Sequence, residues 1–398
     1  MKSDNNIICF RDRFLLVLMG IVVFSTLSAN ISVFFHFPIT LPEPFFLVFL
    51  LLLKKRLLPI TIDKGIFVFL VIVLLFSIIV SQIVGKYSLY SVLSSARGYL
   101  YLFLFYAIYK KNNKLTLEEL FYISFGSLMG WGLACVITFQ SILNNPTENF
   151  QTYGNMITVA LFIAIAILKK KWNLFVVGMV LLAIISFMSG IRRVLAVIVM
   201  AMALAILFQY LLNKKSIARL ILTTGLIVVP LIFVVPVVGK YAEENAPALY
   251  FRLFTRSERF VKGESDVSDD YRRDSFREFN NDLSSYMLPR GMVSNQYLKD
   301  ADTGIYMDFP FLALSYIFSF PVAVLLVMFF IIRTLQCYSY YRFTSDISAG
   351  VFAIVTMVMF LLLFVEGSFL VHPYTTPFTG LCLGKVCYYG RLSKSMRH

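Results

Sequence analysis

The side chains with the chemistry to hold or transform a polar substrate are arginines and a few carboxylates set among long apolar runs. Arg97 opens one hydrophobic stretch in SSARGYLYLF, and Arg192 and Arg193 open another in SGIRRVLAVIVM. Arg272, Arg273 and Arg277 crowd the segment YRRDSFREF, and Arg290 follows in LPRGM. A guanidinium presents a planar fork of donors that matches phosphate or carboxylate bidentately. One arginine at the end of an apolar run can simply snorkel to a headgroup or pair with a loop carboxylate. A vicinal pair beside an arginine-rich segment favours a shared anionic ligand, and at a bilayer edge the natural anion is a lipid-linked phosphate or diphosphate. Asp302, Asp308, Glu366 and His372 are the candidates to act as a general base, given hydrogen-bond reach. His372 stands in EGSFLVHPYTTPF, close in sequence to Glu366, whose charge would orient the ring or raise its basicity. Alternatively the ring bonds a backbone group freed by Pro373. Asp308 falls at the start of an apolar run, where a charge is costly unless paired.

The elements that must position these groups are membrane spans. Of 398 residues 59% are hydrophobic and 15% charged, too apolar a mix to bury in one aqueous globule. The net charge of +14 sits in short clusters between apolar runs, which is the membrane pattern and not a nucleic-acid surface. A helix needs about 20 apolar residues to cross the hydrocarbon, and that length predicts an all-α polytopic protein of about twelve transmembrane helices. They are expected over 14 to 34, 38 to 53, 65 to 85, 91 to 109, 117 to 143, 152 to 168, 172 to 189, 193 to 213, 217 to 239, 308 to 332, 347 to 365 and 370 to 389. Barrel strands would alternate and these runs do not. The first run outlasts a secretory h-region and lacks a small-residue cleavage site, so it is read as retained.

With the N-terminus inside, the inner connections receive 22 Lys and Arg, among them Lys54, Lys55 and Arg56, Lys169 to Lys171, Arg333, Arg342 and Lys385. The outer face keeps Lys86, Arg97, Arg192 and Arg193 apart from one long loop, so both termini are expected in the cytoplasm. That loop, 240 to 305, separates a first membrane part, 1 to 239, from a second, 306 to 398. It carries ten basic and twelve acidic residues, seven of the bases being Arg. Its interleaved aromatics predict a partly helical cap, and they could stack on sugar rings or form a small core of the loop's own. The five cysteines are scattered, with neither a CxxC nor a metal-type pairing to the three histidines, and no P-loop or GxGxxG occurs.

The run SGIRRVLAVIV, the long outer loop with YRRDSFREF, then LPRGMVSNQY and DTGIYMDFPFLALSYIFSFPVAVLLV resembles the O-antigen polymerase and ligase superfamily of bacterial envelope glycosyltransferases. The likeness covers roughly 180 to 390. Ligases of that family carry a His and an Asn-like residue at the loop exit and a Gly some way on. Asp302, Thr303 and Gly304 stand there instead, without the later Gly, which leans toward a repeat-unit polymerase. The resemblance implies a GT-C-like helix bundle in the bacterial cytoplasmic membrane with its large loop in the periplasm. Its donor and acceptor would be polyprenyl-diphosphate-linked oligosaccharides, used without nucleotide, metal or other cofactor, and a chain-length regulator is an expected partner. Arg97, Arg192, Arg193, Arg272, Arg273, Arg277 and Arg290 would then hold diphosphate and glycan. The alternatives are a ligase that delivers finished glycan to lipid A core or protein, a transporter or flippase for lipid-linked sugar, and a non-catalytic assembly subunit. A transporter would place charges at mid-depth along a path.

Overall fold

The computed structural model describes residues 10–27, 64–84, 88–110, 115–144, 154–189, 192–213, 309–364 and 374–396, with parts of 239–292 and residues 370 and 372. Eleven stretches have defined α-helical bounds: α1 Phe10–Val23, α2 Lys64–Ile83, α3 Leu89–Tyr109, α4 Leu117–Asn144, α5 Met156–Leu168, α6 Trp172–Ser189, α7 Arg192–Asn213, α8 Pro310–Phe318, α9 Phe320–Thr344, α10 Ile347–Leu362 and α11 Thr376–Ser395. No strand occurs among the described residues. Three stretches are long and apolar enough to cross a membrane, Leu117–Thr138, Arg193–Tyr210 and Phe320–Thr344, and shorter apolar helices cover Val71–Ile83, Met156–Leu168, Trp172–Ser186 and Ile347–Leu362. The expected spans 38 to 53 and, apart from Gly239, 217 to 239 lie outside the described residues.

Helix bounds differ from the expected spans in three places. The first helix begins at Phe10 and ends at Val23, where the chain bends at Phe24 and Ser25 before helix resumes at Thr26, and residues 28–34 of that span lie outside the described residues. The stretch expected as one span over 308 to 332 is two helices broken at Ser319, whose φ of 88° no helix contains. Pro321 then sits in the first turn of α9, where its missing N–H costs nothing. α9 runs on to Thr344, so Arg333 and Arg342 ride on a helix and not on a connecting loop. The last helix starts at Thr376, six residues after the expected 370, because Pro373 and Pro377 favour a turn and then a helix start. It extends to Ser395, so Lys385 is a buried helical residue and not part of an inner loop.

Lipid tails are as apolar as leucine, so membrane helices associate by close packing and favour small residues where backbones meet. Gly380 and Gly384 of α11 do this against α3: a Cβ on Gly384 would stand 2.7 Å from the Tyr106 carbonyl oxygen, and one on Gly380 would overlap the carbonyl of Leu102. Gly126 and Gly130 of α4 meet α1 in the same way at Val17 and Ile21. Both are Gly-x-x-x-Gly pairs, a signal present in the sequence. α5 lies at the centre, every residue from Met156 to Leu168 buried, and packs on α4, α7 and α10.

The described part of the segment 240 to 305 folds onto α8. Phe279, Tyr286, Phe309, Leu312 and Tyr316 form one cluster, with Phe276 and Phe311 against it. The Phe279 and Tyr286 rings meet edge to face at 4.7 Å, and Phe276 meets Phe309 at 4.4 Å. Of the two roles open to the loop aromatics, these side chains fill the core one.

Candidate functional site

Helix register fixes how deep the irregular segments lie. Leu102 faces Gly380 and Tyr106 faces Gly384, so α3 and α11 run parallel. Thr376, four residues before Gly380, therefore stands level with Gly98, and Thr375 with Arg97. At about 1.5 Å per residue, α11 begins about 14 Å below Leu89, the start of α3. The break at Ser319 is similarly sunk, since Ser77 Oγ reaches the Ile317 carbonyl at 3.4 Å from a point about 9 Å below the end of α2. Non-helical backbone is tolerated at such depth only where protein buries it or a polar cavity adjoins it.

Both breaks are held by polar contacts. The segment 290–292 is pinned to the bundle: the Arg290 N–H donates to the Tyr316 carbonyl at 2.9 Å and the Met292 N–H to Ser81 Oγ. Gly291 between them has a φ of 95° and presses on Ser77 and Ser81, which only glycine accommodates. Arg290 Nε also donates to the Ser285 carbonyl at 3.0 Å, so part of this arginine builds the loop. Hydrogen bonds from Ser285 and Ser284 hold the Asp282 carboxyl below the ordinary carboxylate range in the same turn.

The second break is the turn His372–Thr375. The His372 carbonyl accepts the Thr375 N–H at 2.9 Å, the Thr376 N–H at 3.0 Å and the Thr375 hydroxyl at 2.9 Å. The half-buried His372 ring stacks on Tyr374 with centroids 5.2 Å apart and planes 8° from parallel. Asn155 ties this turn to the start of α5. Its Nδ2 donates to the Tyr374 carbonyl at 3.2 Å while its Oδ1 caps α5 by accepting the Thr158 N–H at 3.2 Å. Thr158 Oγ1 in turn lies 3.1 Å from Ser127 Oγ on α4. The N-termini of α5 and α11 thus meet inside the bundle, and their positive dipole ends favour an anion there.

Beside this turn an apolar crevice of about 100 Å³ opens between α2, α3 and α8 to α11, with Phe69, Val73, Phe103, Phe318 and Leu383 among its walls. Tyr99 lines it, its ring edge-on to Phe318 at 5.6 Å, and Thr379 lines it from α11. Thr376 lies one turn above Thr379 on the same helix face. Tyr99 is 2% exposed and Thr376 0%, and neither hydroxyl has a hydrogen-bond partner among the described residues. They stand within a residue of the same level along α3 and α11.

The sequence candidates distribute as follows. Arg97 is half-buried on α3, with its Nε shielded from solvent, level with Thr375. Arg193 is half-buried in the first turn of α7, which packs along α5, and Arg192 is the first residue of that helix. Helix contacts run from α3 through α11 to α5 and α10 and on to α7, so Arg97 and Arg193 belong to opposite flanks of the central helices. Arg277 and Arg290 are exposed on the loop. Asp302, Asp308, Glu366, Arg272 and Arg273 lie outside the described residues. His372 is placed in the turn that leads into α11. Asn155, Tyr99 and Thr376 were not singled out by their chemistry. Their signals were an Asn directly before an apolar run and the Thr-Thr-Pro that starts a helix after Pro373. Among the described residues no three of His, Cys, Asp and Glu converge as a metal site. Comparison of the chain with protein-family models, curated proteins and solved structures finds no match.

Proposed function

We propose that this chain is a membrane-embedded glycosyltransferase that extends a saccharide carried on a polyprenyl diphosphate, in the manner of an O-antigen polymerase. The full bundle has about twelve spans of GT-C-like arrangement, with the large loop outside the cytoplasmic membrane. The observation that carries the reading is the pair of buried hydroxyls, Tyr99 and Thr376, that have no hydrogen-bond partner among the described residues and lie at nearly the same level of α3 and α11, with an apolar crevice walled in part by the Tyr99 ring beside them. Such a site suits an amphiphile with a hydrocarbon tail and an oxygen-rich anionic head.

Glycosyl transfer breaks the bond between the anomeric carbon and the diphosphate oxygen and forms one to the acceptor hydroxyl oxygen. Negative charge grows on the departing diphosphate, and fixed positive groups in a water-poor site stabilise it. Arg97 on one flank, Arg193 on the other and the dipoles of α5 and α11 supply that field. His372, half-buried and stacked on Tyr374, is the described group suited to take the acceptor proton.

A carrier that moves lipid-linked sugar is the second reading, favoured by the broken helix at Ser319 and the mid-depth start of α11. Purified protein in vesicles with an oligosaccharide on polyprenyl diphosphate separates the two. Chain growth is expected, with Arg97→Ala and Arg193→Ala each lowering it about 100-fold or more while leaving the protein inserted. Movement of the lipid across the vesicle without any longer product would replace the enzyme by the carrier. Full-length polymer from both variants would overturn the assigned roles. Loss of a ligase, in contrast, would leave finished polymer on its carrier.

A further inference from the structure

Cations that the site above does not use collect at the other end of the bundle, where α3, α9 and α11 converge. Gly384 brings α11 against the backbone of Tyr106 and Lys110, and Gly390 brings it within 3.2 Å (as a Cβ would measure) of the Arg333 carbonyl on α9. These approaches hold Lys110 at 2% exposure and Lys385 at 1%. Lys110 Nζ stands 5.7 Å from the Tyr106 ring centre, and Lys385 Nζ stands 5.5 Å from that of Tyr109 and 5.9 Å from that of Tyr388. Further along, Arg333 is half-buried and Arg391 exposed. Arg333 lies over Phe329 at 5.2 Å and its Nη1 donates to Gln336 Oε1 at 2.9 Å. Lys110, Arg333 and Arg391 all act electrostatically on the Cys387 thiol, so three helices build one cationic patch.

Two carboxylates face it, and both also serve helix starts. Glu119 accepts the Thr116 N–H at 2.9 Å and its hydroxyl at 3.0 Å, and Asp346, which acts on Lys385, accepts the Ser348 N–H at 2.8 Å. Among the described residues basic side chains outnumber carboxylates at this end. Leading to it along α9 is an exposed apolar strip, Leu325 at 69%, Met328 at 50% and Ile332 at 49%.

We propose that this patch binds the phosphate of an anionic phospholipid from the inner leaflet. The exposed Arg391 and half-buried Arg333 grip the phosphate with their planar forks. Lys110 supplies field from behind, and the acyl chains lie along Leu325, Met328 and Ile332. The apolar strip is what selects a lipid over free phosphate, and basic pockets between membrane helices on the cytoplasmic side are known lipid-headgroup sites. The inner assignment rests on the orientation read from the basic clusters, and the proposal is otherwise independent of the enzymatic reading, which concerns the other end.

Native mass spectrometry of the full chain, equilibrated with phosphatidylglycerol or phosphatidylcholine in micelles and then delipidated stepwise, tests it. The wild type should retain phosphatidylglycerol after phosphatidylcholine has gone, and equal loss of the two would overturn the site. Arg333→Gln with Arg391→Gln should weaken phosphatidylglycerol binding about 30-fold, at about 1 kcal/mol per cation near the surface. Arg342→Gln with Lys394→Gln, exposed on the same helices, should leave retention unchanged, and an equal loss there would show only diffuse attraction. Displacement of the lipid by millimolar inorganic phosphate would make the site one for a soluble anion and overturn the lipid assignment.

Discussion

A buried hydroxyl without a partner costs about 1–3 kcal/mol, and in a bilayer no water is at hand to satisfy it. Tyr99 and Thr376 therefore carry a cost in the free protein that a ligand oxygen would relieve. Tyr99→Phe and Thr376→Val should leave the thermal midpoint in detergent unchanged or raised, because each removes only an unpartnered group. The same variants should raise the KM for lipid-linked saccharide about two- to tenfold, the worth of one neutral hydrogen bond. A fall in stability together with an unchanged KM would instead make these hydroxyls part of the packing. At this scale the arginines were legible in the sequence because charge is conspicuous in an apolar run. The hydroxyls were not, since a Tyr or Thr in such a run is unremarkable until its neighbours are known.

The helices meet through backbone contact, and that makes their glycines the sensitive points. Gly380→Leu would drive a side chain into the Leu102 carbonyl and push α11 off α3, at a cost of about 3 kcal/mol or more. A large drop in thermal midpoint is expected, whereas Leu325→Ala on the exposed strip of α9 should move it little. Gly291→Ala meets both an unfavourable φ and the crowding of Ser77 and Ser81, so it should undock the segment around Arg290. Limited proteolysis between Phe276 and Met292 should then speed up, and an unchanged rate would show that Gly291 does not hold the loop. Helix ends were less legible than helix existence. Hydropathy runs smoothly through Ser319 and into His372, and the breaks come from prolines and from polar contacts made by Ser77, Ser81 and Asn155 across the bundle.

At the scale of the whole molecule the expected topology sorts charge along the membrane normal, and orientation is the property to test there. Leu288→Cys, on the exposed loop, should react with an impermeant maleimide added to intact cells, and Lys394→Cys only after permeabilisation. The reverse pattern would invert the topology and with it the proposed sidedness of catalysis and of phospholipid binding. The four described cysteines are buried and should contribute little background. By itself the sequence determined the solvent of this protein, the helical class and the existence of most of the described helices. These follow from run length and composition, which are local and additive. Only the tertiary structure decided that Asn155 meets Tyr374, that α11 starts partway along α3, that two buried hydroxyls lie at nearly the same level of those helices, and that Lys110 and Lys385 are drawn inside. Each depends on residues far apart in the chain sharing one depth, and that is set by glycine-mediated helix register, which no periodicity along a single run encodes.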